Sequence, residues 1–151
     1  MILDTLLMFD PPATVVTATA VSTNIIDLLN ARDMGIGDAP ALKLVILVGT
    51  TMEAAGSATL QIQAQGSTDS STWLTLAESR AYALASLTAN RKLFPIDWPV
   101  IEAGATGPSV LHRYLRLNYI VATGPMTAGT IQAYLSTNRD DQVSYPKNFT
   151  A

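Results

Sequence analysis

The amino-acid sequence predicts an all-β chain folded as an antiparallel β-sandwich. Three features carry that prediction. About eight short runs rich in branched and aromatic residues recur along the chain, clusters of Gly, Pro, Asn, Asp and Ser punctuate them, and no stretch has the helical repeat of an amphipathic helix. Side chains alternate across a strand, so period two means one buried face and one outward face. Strand spacing alone does not choose among sandwich topologies.

The chain opens Met-Ile-Leu-Asp-Thr-Leu-Leu-Met-Phe-Asp-Pro-Pro. It is apolar, yet it has no basic leading region, is interrupted by Asp4 and Asp10, and stops at Pro11-Pro12 without a small-residue cleavage site. Signal peptide and membrane anchor are therefore rejected. Residues 1–12 read as an N-terminal arm whose apolar side chains need either the domain's own core or a neighbouring subunit.

From Ala13 the β-branched run Thr-Val-Val-Thr-Ala-Thr-Ala-Val predicts a strand, and Asn-Ile-Ile-Asp-Leu-Leu a second one leading into a loop. That loop, residues 30–41, holds Gly35, Gly37 and Pro40 beside Arg32, Asp33 and Asp38. Its Gly-Ile-Gly-Asp lacks the third glycine, the following helix and the Lys-Ser/Thr pair of a nucleotide cradle, and reads as a turn needing positive φ. Residues 42–51, Leu-Lys-Leu-Val-Ile-Leu-Val-Gly-Thr-Thr, form the most apolar run and predict a strand covered on both faces, in the core or under another chain.

Next comes a clean alternation, Leu60, Ile62 and Ala64 against Gln61, Gln63 and Gln65. Uncharged amides on an outer face suit either plain solvation or hydrogen bonding to a partner, without the desolvation cost of ions. The polar turn 66–72 leads to Trp73, which either plugs the end of the core or stacks on a sugar ring. Residues 82–87 are a weak strand or turn. Lys92 to Pro99 alternates but contains Pro95, which marks an edge strand, and residues 101–112 read as a long loop.

Two alternating runs follow. Leu115, Leu117, Tyr119 and Val121 share one face, and Ile131, Ala133 and Leu135 share another, with Gly124, Pro125 and Gly129 at or beside the break. Together they read as a hairpin with a long loop. The last residues, 137–151, are polar, with Tyr145 and Phe149 spaced through them in the manner of a docking arm. The organisation is thus an arm (1–12), a sandwich domain (13–136) and a tail (137–151).

Composition bounds the function. At 151 residues the chain makes one domain. Without cysteine it has no disulfide, thiol nucleophile or thiolate metal site. Only 14% of residues are charged, against about 25% in a typical soluble domain. The 48% hydrophobic share includes 21 alanines, yet mean hydropathy is still +0.26. Part of the surface is then expected to lie under other chains. A net charge of −3 with scattered basic residues argues against nucleic acid. One histidine, His112, and no motif of paired carboxylates give an enzyme nothing to build from. No cofactor or metal is expected, and no membrane partner.

Three stretches carry a resemblance. These are the opening Met-Ile-Leu-Asp-Thr, the central Ala31-Arg32-Asp33-Met34-Gly35-Ile36-Gly37 before an apolar strand, and Tyr-Leu-Arg-Leu-Asn-Tyr-Ile-Val-Ala-Thr-Gly-Pro-Met-Thr-Ala-Gly-Thr near the end. They resemble the capsid cement, or decoration, proteins of short-tailed bacteriophages. The resemblance implies a jelly roll of about eight strands with extended N- and C-terminal arms, and it adds Arg32 and Asp33 as a recurring loop pair. It also implies a structural virion protein, made in the host bacterial cytoplasm, that binds the outer capsid surface. As a homo-dimer on a two-fold axis, or a trimer, it would bridge copies of the major capsid protein. The interface candidates are Ile2, Leu3, Leu6, Leu7, Phe9, Arg32, Asp33, Tyr145 and Phe149. The alternatives are a carbohydrate-binding jelly-roll module using Trp73 or Trp98, and a low-copy head-tail or tail component.

Overall fold

The computed structural model describes residues 4–31, 42–98 and 111–136. After a 3-10 turn at Thr5–Leu7, ten strands follow among the described residues: β1 Met8–Val15, β2 Ala20–Val21, β3 Ile26–Asp27, β4 Lys43–Glu53, β5 Thr59–Ser67, β6 Leu74–Glu78, β7 Tyr82–Ala83, β8 Lys92–Asp97, β9 Tyr114–Ala122 and β10 Ala128–Ser136, with a second 3-10 turn at Leu84–Ser86. One sheet has the order β1-β10-β4-β8. The other has the order β2-β9-β5-β6, with β3 also on β9 and β7 also on β5. All pairings are antiparallel. Counting β2 with β3 and β6 with β7, since each pair shares one edge, leaves eight strand positions, four per sheet. That order is a jelly roll.

The core fills the space between the sheets. Leu44, Ile46 and Val48 from β4 and Ile131, Ala133 and Leu135 from β10 face Leu60, Ile62 and Ala64 from β5 and Leu115, Leu117 and Tyr119 from β9. Every one of these alternates with outward residues, as the period-two pattern requires.

Two expectations need correcting. Residues 113–136 are not a hairpin: β9 pairs with β2, β3 and β5, while β10 pairs with β1 and β4, so the two strands lie in different sheets. Their apolar faces meet across the core. The connection crosses the sandwich, with the N–H of Met126 donating to the Thr17 carbonyl and that of Thr127 to the Glu53 carbonyl.

The second correction is at the N-terminus, where the sheet begins at Met8 and not at Ala13. Phe9 is fully buried and stacks on Trp98 at 5.3 Å, and Asp10 is bonded inside, so residues 8–12 belong to the sandwich and not to an arm. Pro11 and Pro12 are tolerated because β1 is an edge strand with a register shift between Asp10 and Thr14, where Ala13 takes φ 70°. Past that bulge β1 ends at Val15, so the predicted strand from Ala13 divides between β1 and the two-residue β2.

Within the single chain, the core covers the inner face of β4, and cover by another chain stays the reading for its other face. Val45 and Leu47 on that face are half-buried. Tyr134, on the outer face of β10, is nonetheless buried, opposite Met8 in the register with β1. Pro95 does mark an edge: β8 pairs with β4 alone.

Candidate functional site at one end of the sandwich

The registers place several chain ends together. Lys43 at the start of β4 pairs with both Ser136 at the end of β10 and Asp97 at the end of β8. Met8 at the start of β1 pairs with Tyr134. On the other sheet, Tyr114 at the start of β9 pairs with Asp27 at the end of β3 and with Ser67 at the end of β5. The sheets are joined at this end by the N–H of Asn24 donating to the Phe9 carbonyl, and the β4–β8 ladder is extended there by the N–H of Trp98 donating to the Leu42 carbonyl. β1, β4, β6 and β9 therefore begin, and β3, β5, β8 and β10 end, at one end of the sandwich.

Exposed apolar side chains gather there too. Leu6 is 79% exposed, Leu29 69%, Ile25 45% and Leu111 40%. Ile25 and Leu29 flank β3, which is held to β9 through Ile26, Asp27 and the bond from the Leu28 N–H to the Arg113 carbonyl. Leu111 leads into β9, and Leu6 precedes Met8 by two residues.

Asp27 organises the centre of this patch. Its Oδ1 accepts from the Leu29 N–H at 2.8 Å, and its two oxygens accept from Arg113 Nε and Nη2, both at 2.8 Å. The bidentate guanidinium holds the Asp27 carboxyl down at about 2, helped by the Leu29 amide, while the same pairing raises Arg113. Arg113 also lies over the Tyr114 ring at 4.8 Å. Leu29 takes φ 66°, a backbone region that a large apolar residue rarely enters. A strained backbone that presents an exposed leucine is the sort of local cost found at functional positions.

The neighbouring 67–72 turn is built by Asp69. The Ser71 and Thr72 amides donate to Oδ1 at 2.9 and 2.8 Å, the Ser67 hydroxyl donates at 3.0 Å, and together they hold this carboxyl well below its usual range. Gly66 at the base of the turn sits against the His112 ring, 2.6 Å from where a Cβ would stand. No group of three His, Asp or Glu side chains that could hold a metal gathers among the described residues.

The sequence candidates divide three ways. Leu6 is exposed at this end, Leu7 is half-buried against the core, and Phe9 is inside it, unavailable to any partner. Ile2, Leu3, Arg32, Asp33, Tyr145 and Phe149 lie outside the described residues. Of the tryptophans, Trp98 is buried on Phe9, and Trp73 is half-buried with the Arg116 guanidinium over its ring at 4.0 Å. Ile25, Leu29 and Leu111 were missed by sequence reasoning. The signal was present in Asn-Ile-Ile-Asp-Leu-Leu, because an outward Asp27 puts Ile25 and Leu29 outward with it.

Fold and site together define a jelly-roll domain with large apolar side chains exposed at one end and no catalytic constellation among the described residues. The Bbp16 family model matches residues 11–135, from β1 through β10, and the chain belongs to the Bbp16 family. Among curated proteins, none matches the sequence.

Proposed function

We propose that the chain is a non-enzymatic structural protein of a bacteriophage virion. It binds the outer surface of the capsid as a homo-oligomer and stabilises the expanded head by bridging copies of the major capsid protein. The observation that carries this reading is the exposure of Leu6, Ile25, Leu29 and Leu111 at the end of the sandwich where β1, β4 and β9 begin and β3, β5, β8 and β10 end. An end of the sandwich that exposes large apolar side chains, on a chain with few charges, suits a protein partner. The likeness of three stretches to capsid cement proteins supplies the partner's identity.

Such a protein works by area and copy number. Binding only the assembled, expanded shell lowers the free energy of that state by mass action, and an oligomer that engages two capsomers gains effective concentration at the second contact.

The test is co-sedimentation of the purified protein with expanded heads stripped of decoration. Saturation at hundreds of copies per head, with heads that then withstand heating better, is the expected result. A protein that stays in the supernatant at every concentration sinks the reading.

A further inference from the structure

The outer face of the β2-β9-β5-β6 sheet carries a polar ribbon across three strands. In one row Gln63 of β5 pairs with Glu78 of β6 and Asn118 of β9. In the next row Gln65 pairs with Thr75 and Arg116. The side chains lock one another: Gln63 donates to Glu78 at 3.3 Å, Asn118 to Gln63 at 2.9 Å, Gln65 to Gln63 at 3.3 Å, and Arg116 Nε to Gln65 at 2.8 Å. Trp73 lies under the Arg116 guanidinium. A face with Trp, Tyr114, Arg and neutral amides has the composition of a protein interface and not of a plain solvated surface, which favours Lys and Glu.

Beyond the Asp27–Arg113 pair beside Tyr114, its two remaining charges, Arg116 and Glu78, are not used on each other. No carboxylate of the described residues pairs with Arg116, and Glu78 takes only the Gln63 amide. They stand on either side of β5, two strand spacings or about 10 Å apart, too far to meet within one molecule. A face that carries one such cation and one such anion on opposite flanks is self-complementary. Consider a two-fold axis lying parallel to the face, over β5 between Gln63 and Gln65 and at right angles to the line from Arg116 to Glu78. It lays Arg116 of each copy on Glu78 of the other.

We infer that the β5–β6–β9 outer face is the homodimer interface, with Arg116 and Glu78 forming two reciprocal ion pairs around the locked Gln63–Gln65 ribbon. The occupant is a second copy of this chain. The ribbon is fixed before docking, so little side-chain freedom is lost on association. The apolar end remains free for the head. The inference rests on the homo-oligomer reading above and assigns that oligomer a surface.

Charge exchange tests it on the full chain by sedimentation velocity. The unmodified protein should be a dimer. Arg116→Glu or Glu78→Arg should each weaken self-association by about tenfold or more through like-charge contact, and the double variant should recover it. Glu78 is exposed on an edge strand, so Glu78→Arg keeps the fold even if removing Arg116 disturbs Trp73. A monomeric unmodified protein, single variants that dimerise as before, or a double variant that stays dissociated overturns the inference. Stripped-head binding is read in parallel. Dimers that obey the exchange but ignore heads would refute the virion role alone. Variants that still dimerise but lose heads would refute the interface alone, because the face would then meet the capsid.

Discussion

Asp10 and Tyr119 clamp the two sheets together: the Tyr119 hydroxyl donates to Asp10 Oδ2 at 2.6 Å, from β9 across the core to β1. The other carboxylate oxygen accepts from the backbone N–H and the hydroxyl of Thr23, both at 2.8 Å. Both side chains are buried. Tyr119→Phe leaves a buried carboxylate oxygen without its donor, a loss of about 1–3 kcal/mol, measurable by urea unfolding. An unchanged midpoint would show that the clamp is idle.

The same pair sets a response to alkali. Burial, and then the negative charge of Asp10, push the Tyr119 hydroxyl well above its ordinary value of 10.0. An acid whose folded-state value is raised contributes stability that is complete below its unfolded value. That contribution fades as pH climbs from the ordinary tyrosine value toward the raised one. The structure should therefore hold to about pH 10 and weaken above it, with Tyr119 the last tyrosine to develop tyrosinate absorbance. Titration of Tyr119 with the other tyrosines contradicts this.

Gly129 and Gly124 make a controlled comparison. Gly129 has φ 134°, and a Cβ there would stand 2.5 Å from Met52 Cγ and 2.9 Å from its Cα, whereas Gly124 has φ 110° and open space. Gly124→Ala should cost only the conformational strain, about 1 kcal/mol. Gly129→Ala adds a clash with backbone and should cost about 3 kcal/mol or more. Equal thermal shifts for the two variants would deny the close approach.

How much of this was legible beforehand depended on the range of the interaction. The inward faces of β5, β9 and β10 followed from alternation, and the edge position of β8 from Pro95, because both are local constraints; the unbroken apolar run of β4 marked a strand but not which of its faces turns inward. The pairing of β9 was not legible. A run such as Tyr114 to Ala122 looks the same whether its partner is the next strand or one fifty residues earlier. Likewise Phe9 and Asp10 could not be placed, since their partners Trp98 and Tyr119 are about ninety and a hundred residues away. Residues near two prolines read as an arm until an edge with a bulge accommodates them.

Leu29 separates docking from stability. An asparagine adopts the left-handed backbone region more readily than leucine. Leu29→Asn should therefore keep or slightly raise the melting temperature while it lowers the number of copies bound per stripped head. A variant that binds heads like the unmodified protein would remove Leu29 from the docking end.

Acid should loosen the same end first. With its carboxyl held down at about 2 by Arg113, Asp27 contributes fully above the ordinary carboxylate value of 3.8. That contribution is lost as pH falls from there toward 2. The pair is exposed, so salt should weaken it as well. Hydrogen exchange at the Leu28 and Leu29 amides should speed up in that acid window before the β4 amides do, and Asp27→Asn should produce the faster exchange already at neutral pH. Simultaneous loss of protection at β3 and β4 would show that this corner has no separate stability.

Two truncations decide what the N-terminus does. Removing residues 1–7 takes away Leu6 and the 3-10 turn but keeps Met8, Phe9 and Asp10 in β1, so the product should fold and bind stripped heads poorly. Removing residues 1–12 also takes away Phe9, worth about 3–5 kcal/mol as a buried aromatic, together with the Asp10 clamp. Most of a typical folding free energy of about 5–15 kcal/mol would go with them, and the product should be unfolded by circular dichroism. Loss of head binding in the longer truncation therefore says nothing about docking. Full decoration by the shorter one would shift the contact from Leu6 to Ile25, Leu29 and Leu111.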